Sequence, residues 1–308
     1  MQAIMSTPFD GSIIGLCRDA LQISLRRPRS AAFFAKTARD QRSAARRRVE
    51  AAGRGIQVPP LMVLGLTGRR NLREAAGEMA LEQLRSLLTQ ARGLGVSIVA
   101  LAGGEPPSQP DVLEITKDFP QILFPLVTNA SLLGEGLVER LRQHPNVIPI
   151  INLEDYEGDT DGRGGSGVSQ RTLAAMQRMS ERRIFFGASI VVTRPNYPLV
   201  TGREFVHALA RHGCRIFFYV DYVPIGAETE HLVPTDRQRA LEPLAMSVLR
   251  AEFSALFVAS SAFEEARVGG SLPQKPGWLE ARPWERANPF DPGEPSPIER
   301  RGRRRIAA

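Results

Sequence analysis

The chain has 308 residues, 43% of them apolar and 24% charged, a balance that belongs to a globular protein with a sizeable core and excludes a chain dominated by low complexity. Its formal charge of +7 comes from the ends: residues 1–56 hold eleven Arg and Lys against four Asp and Glu, and the last ten hold five Arg against one Glu. The stretch between them is near −4, so contact with nucleic acid or an anionic membrane is expected only through the basic termini.

The first fifty-odd residues read as a basic helical extension, 1–56. Ile13, Leu16, Ala20, Leu21 and Ile23 can share one helical face, which makes 12–27 an amphipathic, Arg-flanked segment able to lie on a surface. Pro28 interrupts the pattern, so two helices are expected, the second Arg-rich through Arg46-Arg47-Arg48. Gly53, Gly55 and Pro59-Pro60 close the segment.

From residue 61 apolar runs alternate with helical patterns. The runs are LMVLGLT (61–67), SIVALA (97–102), ILFPLVT (122–128), VIPIIN (147–152), FGASIVVT (186–193), IFFYV (216–220) and LFVAS (256–260). Helical periodicity falls near 79–93, 111–118, 135–143, 168–181, 202–212 and 235–252. Runs apolar on both faces are the mark of parallel strands covered by helices, and their number predicts an α/β protein with a partial or full (β/α) TIM-type barrel over 57–264. Residues 265–308 are rich in Pro, Gly and Arg without apolar period, and a disordered tail is expected.

No window reaches about 18 uninterrupted apolar residues, so no transmembrane helix is expected. The N-terminus lacks the basic and apolar regions of a signal peptide. Cys17 and Cys214 are the only cysteines. They are too few for a disulfide framework, which fits a reducing, cytoplasmic setting, and too few to hold zinc or iron–sulfur without other ligands.

A barrel builds its site from the loops at the C-terminal ends of its strands. Here six successive strand ends carry polar or Gly-rich residues: Thr67 to Glu74, Gly103-Gly104-Glu105-Pro106, Thr128-Asn129-Ala130-Ser131, Asn152 with Glu154 and Asp155, Ser189 with Thr193 and Arg194, and Asp221 to Gly226. That is more than solubility requires, and a ligand-binding mouth is expected. Each piece also has a plainer reading. Gly103-Gly104 can simply turn the chain, Thr128-Asn129 is a common turn starter, and Asp161 with Arg163 can be an exposed loop pair. His144, His207, His212 and His231 have no metal-like spacing and read as structural or exposed.

The order of these pieces carries more than any one of them. GRRNLREAAG, then LAGGEPPSQPDVLEI, then PLVTNASLL, then YVPIG resembles the radical S-adenosylmethionine (SAM) superfamily over roughly residues 56–226. The resemblance implies a [4Fe–4S] cluster held by Cys-x-x-x-Cys-x-x-Cys after the first strand, and SAM bound beside it. Laid over this chain, the three cysteine positions fall on Arg70, Glu74 and Gly77, while Asn71, Leu72 and Arg73 are kept. By the same resemblance, Gly103, Gly104 and Glu105 meet the SAM amino group. Asn129, Asn152 and Ser189 belong to the polar lining that faces the ligand, and backbone from Val223 to Ile225 meets adenine. Pro107 and Ser108 stand where relatives more often have apolar residues.

Guanidinium does not ligate iron, glycine has no side chain, and one Glu oxygen does not hold a cluster. The cluster is therefore expected to be absent, and SAM, if bound, to bind weakly. Arg70 and Glu74, four apart, would pair if the loop were helical. Three other functions follow from the same residues: an enzyme holding its cluster by other ligands, a cluster-free hydrolase or lyase using Glu105, Glu154 and Asp155 as acid and base, and surface binding through the basic ends.

Overall fold

The computed structural model describes residues 28–56, 58–65, 68–70, 74–76, 81–102, 110–153, 168–222, 224, 226–259 and 278–281. The chain divides into two compact units, Thr37–Leu126 with the segment from Gly277, and Val127–Pro276 with the first 36 residues. The fold class is α/β, of the parallel (β/α)-barrel type. Among the described residues no helix is long and apolar enough to cross a membrane.

The first unit contains most of helix α1 (Pro28–Gly53), then β1 (Leu61–Gly65), β2 (Gly68–Arg70), β3 (Glu74–Ala76), α2 (Leu81–Leu94), β4 (Ile98–Ala102), α3 (Pro110–Thr116) and the start of β5 (Phe124–Asn129). Strand β1 pairs in parallel with β4, Leu61 facing Ile98 and Gly65 facing Ala102, and β4 pairs with β5 through Leu101 and Leu126. Met62, Leu64, Val99, Leu101 and Leu126 form the buried side of this sheet. Helix α2 buries Leu84, Leu88 and Ala91, spaced i, i+4, i+7 along one face.

Pro28 stands at the first position of α1, where its fixed φ suits a helix start and its missing N–H is not needed; the helix expected before it falls in residues 1–27, outside the described residues. The segment 265–308 also contributes an element, β10 (Trp278–Ala281), which adds in parallel to the free edge of β1 with Leu61 opposite Trp278. A four-residue strand without apolar period leaves no sequence signal, because its partner edge supplies the hydrogen bonds that define it.

Helix α1 is tied to the segment just before β4. Ser97, just before β4, donates its hydroxyl to Gln41 Oε1 at 2.7 Å, and Arg48 Nη1 donates to the Gly95 carbonyl at 2.7 Å. Gly95 has φ +98°, and a Cβ there would lie 2.5 Å from the Ala44 carbonyl. Only glycine permits both that backbone and that approach.

The second unit contains α4 (Glu135–Arg142), β6 (Val147–Leu153), α5 (Gln170–Glu181), β7 (Gly187–Val192), α6 (Tyr197–Val200), α7 (Arg203–Arg211), β8 (Ile216–Asp221), α8 (Asp236–Glu252) and β9 (Leu256–Ala259). Strands β6, β7, β8 and β9 are neighbours in that order, all parallel. The helices start where their caps dictate. Ser169 Oγ accepts from Thr172 N ahead of α5, and Thr235 with Gln238 forms a reciprocal capping box ahead of α8. Phe33 and Phe34 of α1 meet Phe185, just before β7, with ring centroids at 6.1 and 5.4 Å.

Candidate functional site

The second unit's sheet has two unlike faces. Side chains alternate along each strand, and the strand register places Ile151, Ala188, Phe217 and Phe257 in one row across four strands. All four are at most 2% exposed, and the Phe217 and Phe257 rings stack at 4.9 Å. On the other face, exposure rises toward the C-terminal ends. Ile150, Gly187 and Ile216 form a buried lower row. A Cβ on Gly187 would sit 2.7 Å from Ile216 Cβ and 3.0 Å from Ile150 Cδ1, so the glycine lets its neighbours close over it. One step up, Asn152, Ser189, Phe218 and Val258 form a half-buried row. Above that, Val191 is half-buried and Val220 exposed.

Asn152 and Ser189 are thus direct neighbours on adjacent strands, about 4.8 Å apart in the hydrogen-bonding direction. Two polar side chains flanked by Phe218, over an apolar floor, make a surface suited to a small ligand with a flat ring and hydroxyl groups. Phe218 is not among the residues expected at the site. Its signal is the alternation within IFFYV, which puts Phe217 and Tyr219 on the closed face and Phe218 on the open one.

Polar residues around the open end hold the chain itself. Asn129, expected to face a ligand, caps the 3-10 turn Ala130–Leu132: its Oδ1 accepts from Ser131 N at 3.0 Å. Thr193 N donates to Asn196 Oδ1 at 2.8 Å, and Asn196 Nδ2 donates to the Val191 carbonyl at 2.9 Å. Arg194 ties this turn to the next, its N donating to the Leu232 carbonyl and its Nε to the Val233 carbonyl. Asp221 at the end of β8 pairs with Arg239 at 3.5 Å. Of the histidines, His144 is buried, and His212 and His231 bond by Nδ1 to their own helical or turn carbonyls.

The loop after the first strand is not helical at its two described positions. Arg70 ends β2 and Glu74 begins β3, and they face each other as register partners of an antiparallel pair. The helical spacing on which the expected pairing depends is therefore absent at these positions, because strands β2 and β3 pair antiparallel. Gly77, Gly103, Gly104, Glu105, Glu154, Asp155, Val223 and Ile225 lie outside the described residues, as does Cys17.

Cys214 sits two residues before β8, at the N-terminal end of the strand. It is fully buried, and its Sγ lies 3.3 Å from the Ile216 carbonyl, to which it donates. Burial, only partly opposed by its backbone hydrogen bonds and Arg215, pushes the thiol pKa up to about 12. The strand's six residues separate it from the open end by about 20 Å.

No protein-family model matches the chain. Among curated proteins, the AdoMet-dependent heme synthase of Methanosarcina barkeri (strain Fusaro / DSM 804) is 28% identical over 171 residues, covering 54% of this chain and 49% of that protein. The chain therefore spans about half the length of this relative. Among solved structures, Streptococcus suis SuiB bound to S-adenosylmethionine superposes with a TM-score of 0.57 at 18% identity, covering 78% of this chain and 62% of SuiB. SuiB in a second crystal structure gives 0.55 over the same shares. Parallel strands in this order agree with the likeness to SuiB, with which this chain shares its fold, and Gly-Gly-Glu-Pro after one strand and Thr-Asn-x-Ser after the next are in keeping with the likeness to the heme synthase.

Proposed function

We propose that this chain is a radical-SAM-type barrel that holds no [4Fe–4S] cluster and serves as a binding or regulatory protein for SAM or a related nucleoside. The observation that carries this reading is the position of Cys214. A cluster needs three thiolates gathered at the open end of the barrel. The chain has two cysteines, and the described one is buried at the opposite end of its strand with its proton held. Arg70 and Glu74, at two of the family's three ligand positions, offer one carboxylate between them. The residues present do not fit the cluster, and without it nothing supplies the electron that reductive cleavage of SAM requires.

The ligand surface is less affected. Asn152 and Ser189 stand side by side on the open face beside Phe218, which supports recognition of ribose and base. Gly103, Gly104 and Glu105 would meet an amino group, and the backbone at Val223 and Ile225 would meet the base. The methionine end of SAM has no iron to chelate it, so SAM and adenosine should bind alike, both weakly. Two measurements test the reading. Anaerobic reconstitution with iron and sulfide should leave the protein colourless; about four irons per chain with a visible charge-transfer band overturns it. Calorimetric titration should give similar affinities for SAM and adenosine. Binding of neither, or SAM bound far more tightly than adenosine, removes the ligand assignment.

A further inference from the structure

Helix α8 carries apolar residues on two opposite sides. One side, with Met246 and Leu249, is buried against its own unit. The other presents Leu241, Leu244 and Val248 at 43%, 63% and 52% exposure. Their i, i+3, i+7 spacing makes a continuous stripe over two turns on a face that a solvated helix would fill with charge. The remaining exposed large apolar residues of the described chain, Val49, Leu81, Val127, Leu199 and Val220, lie on five other elements and form no such row. A row of this kind marks an interaction surface.

The stripe is complementary to itself. We infer that α8 is a homodimer contact, packing antiparallel against α8 of a second copy about a two-fold axis beside Leu244. In that arrangement Leu241 of one copy lies over Val248 of the other, and Leu244 meets its own counterpart. The same register brings exposed Arg237 at one end of the helix opposite Glu252 at the other end of its partner. These residues are fifteen positions apart and so about 22 Å along the axis, symmetric about the stripe. Arg237 has no ion pair among the described residues, while Glu252 is held in place by Arg203 at 2.6 Å. A two-fold contact needs one patch that matches itself, and opposite charges at the two ends of an apolar row provide that match. One helix covers less than the roughly 800 Å² per partner of a standard interface, so the dimer forms reversibly in the micromolar range.

Sedimentation equilibrium on the full chain tests this. A concentration-dependent dimer is expected, and Leu244→Glu should make it monomeric with an unchanged circular dichroism spectrum and, at concentrations where the natural chain is itself monomeric, an unchanged melting temperature, because the side chain is already in water. Arg237→Glu should weaken association roughly 2- to 30-fold through its two symmetry-related pairs. If the chain's own first 27 residues or a different protein cover the stripe, the chain stays monomeric well above the micromolar range, which overturns the inference. A dimer indifferent to Leu244→Glu overturns it equally.

Discussion

The two faces of β6 to β9 differ by a single residue of register and by everything that follows from it. The row Ile151, Ala188, Phe217, Phe257 is closed, apolar and stacked, and it holds the second unit together. The row Asn152, Ser189, Phe218, Val258 is half-buried and carries two polar side chains. The same strands thus supply a core on one side and, on our proposal, a ligand surface on the other. The open face also grades from a sealed floor at Ile150, Gly187 and Ile216 to an exposed rim at Val220. A site at the C-terminal end of a barrel needs that gradient, since a ligand must enter from one end and be stopped at the other.

The sharpest way to break this contrast is on the closed face. Phe217→Ala removes a fully buried ring and its stacking partner's contact, and should cost about 3–5 kcal/mol in urea-unfolding free energy. A loss well under 1 kcal/mol would show that this row is not the core. Gly187→Ala comes next, at about 1–3 kcal/mol, because its Cβ meets the Ile216 backbone carbonyl at 2.8 Å as well as side chains.

Cys214 gives a third, pH-dependent test. Its folded pKa is raised to about 12 from an ordinary value of 9.0, so the folded state keeps a proton that the unfolded state releases. The stabilisation is complete below pH 9 and is lost as pH climbs from 9 to 12. Relative to Cys214→Ala, the natural chain should lose about 1.4 kcal/mol per pH unit once above pH 9. Parallel stability curves for the two proteins at pH 9.5 and above would refute a buried, protonated thiol. The smallest effect is expected on the open face: Asn152→Ala and Ser189→Ala should each cost no more than about 1.5 kcal/mol of stability, the net share of one hydrogen bond. Each should nonetheless weaken nucleoside binding about threefold to tenfold, the share of one hydrogen bond. Unchanged affinity in the double variant would move the ligand elsewhere.

Much of this architecture is legible in the order of residues alone. The expected strand at 147–152 is β6, 147–153; that at 186–193 is β7, 187–192; and the expected helix at 235–252 is α8, 236–252. Runs buried on both faces declare themselves because every position must be apolar, and helix starts such as Ser169 and Thr235 declare themselves because orphaned N–H groups need a nearby acceptor. The polar pair Asn152 and Ser189 is also visible, as interruptions in otherwise apolar strands. Asn129 is visible too, and its Oδ1 bonds to its own turn: a short amide at a strand end can face a ligand, bond to its turn or do both, and one-dimensional pattern does not choose among them.

The order of strands and helices, the missing thiols and the polar interruptions were determined by the sequence itself, since each depends on residue type and local spacing alone. Tertiary structure decided the rest: that Ser189 lies beside Asn152, that β10 joins the edge of β1, that the chain reverses between Arg70 and Glu74, and that Leu241, Leu244 and Val248 stay exposed on their own unit. Each of these depends on which distant backbone or surface comes alongside, and such pairings are settled by the burial and hydrogen bonding of the whole fold, which no local stretch of residues encodes.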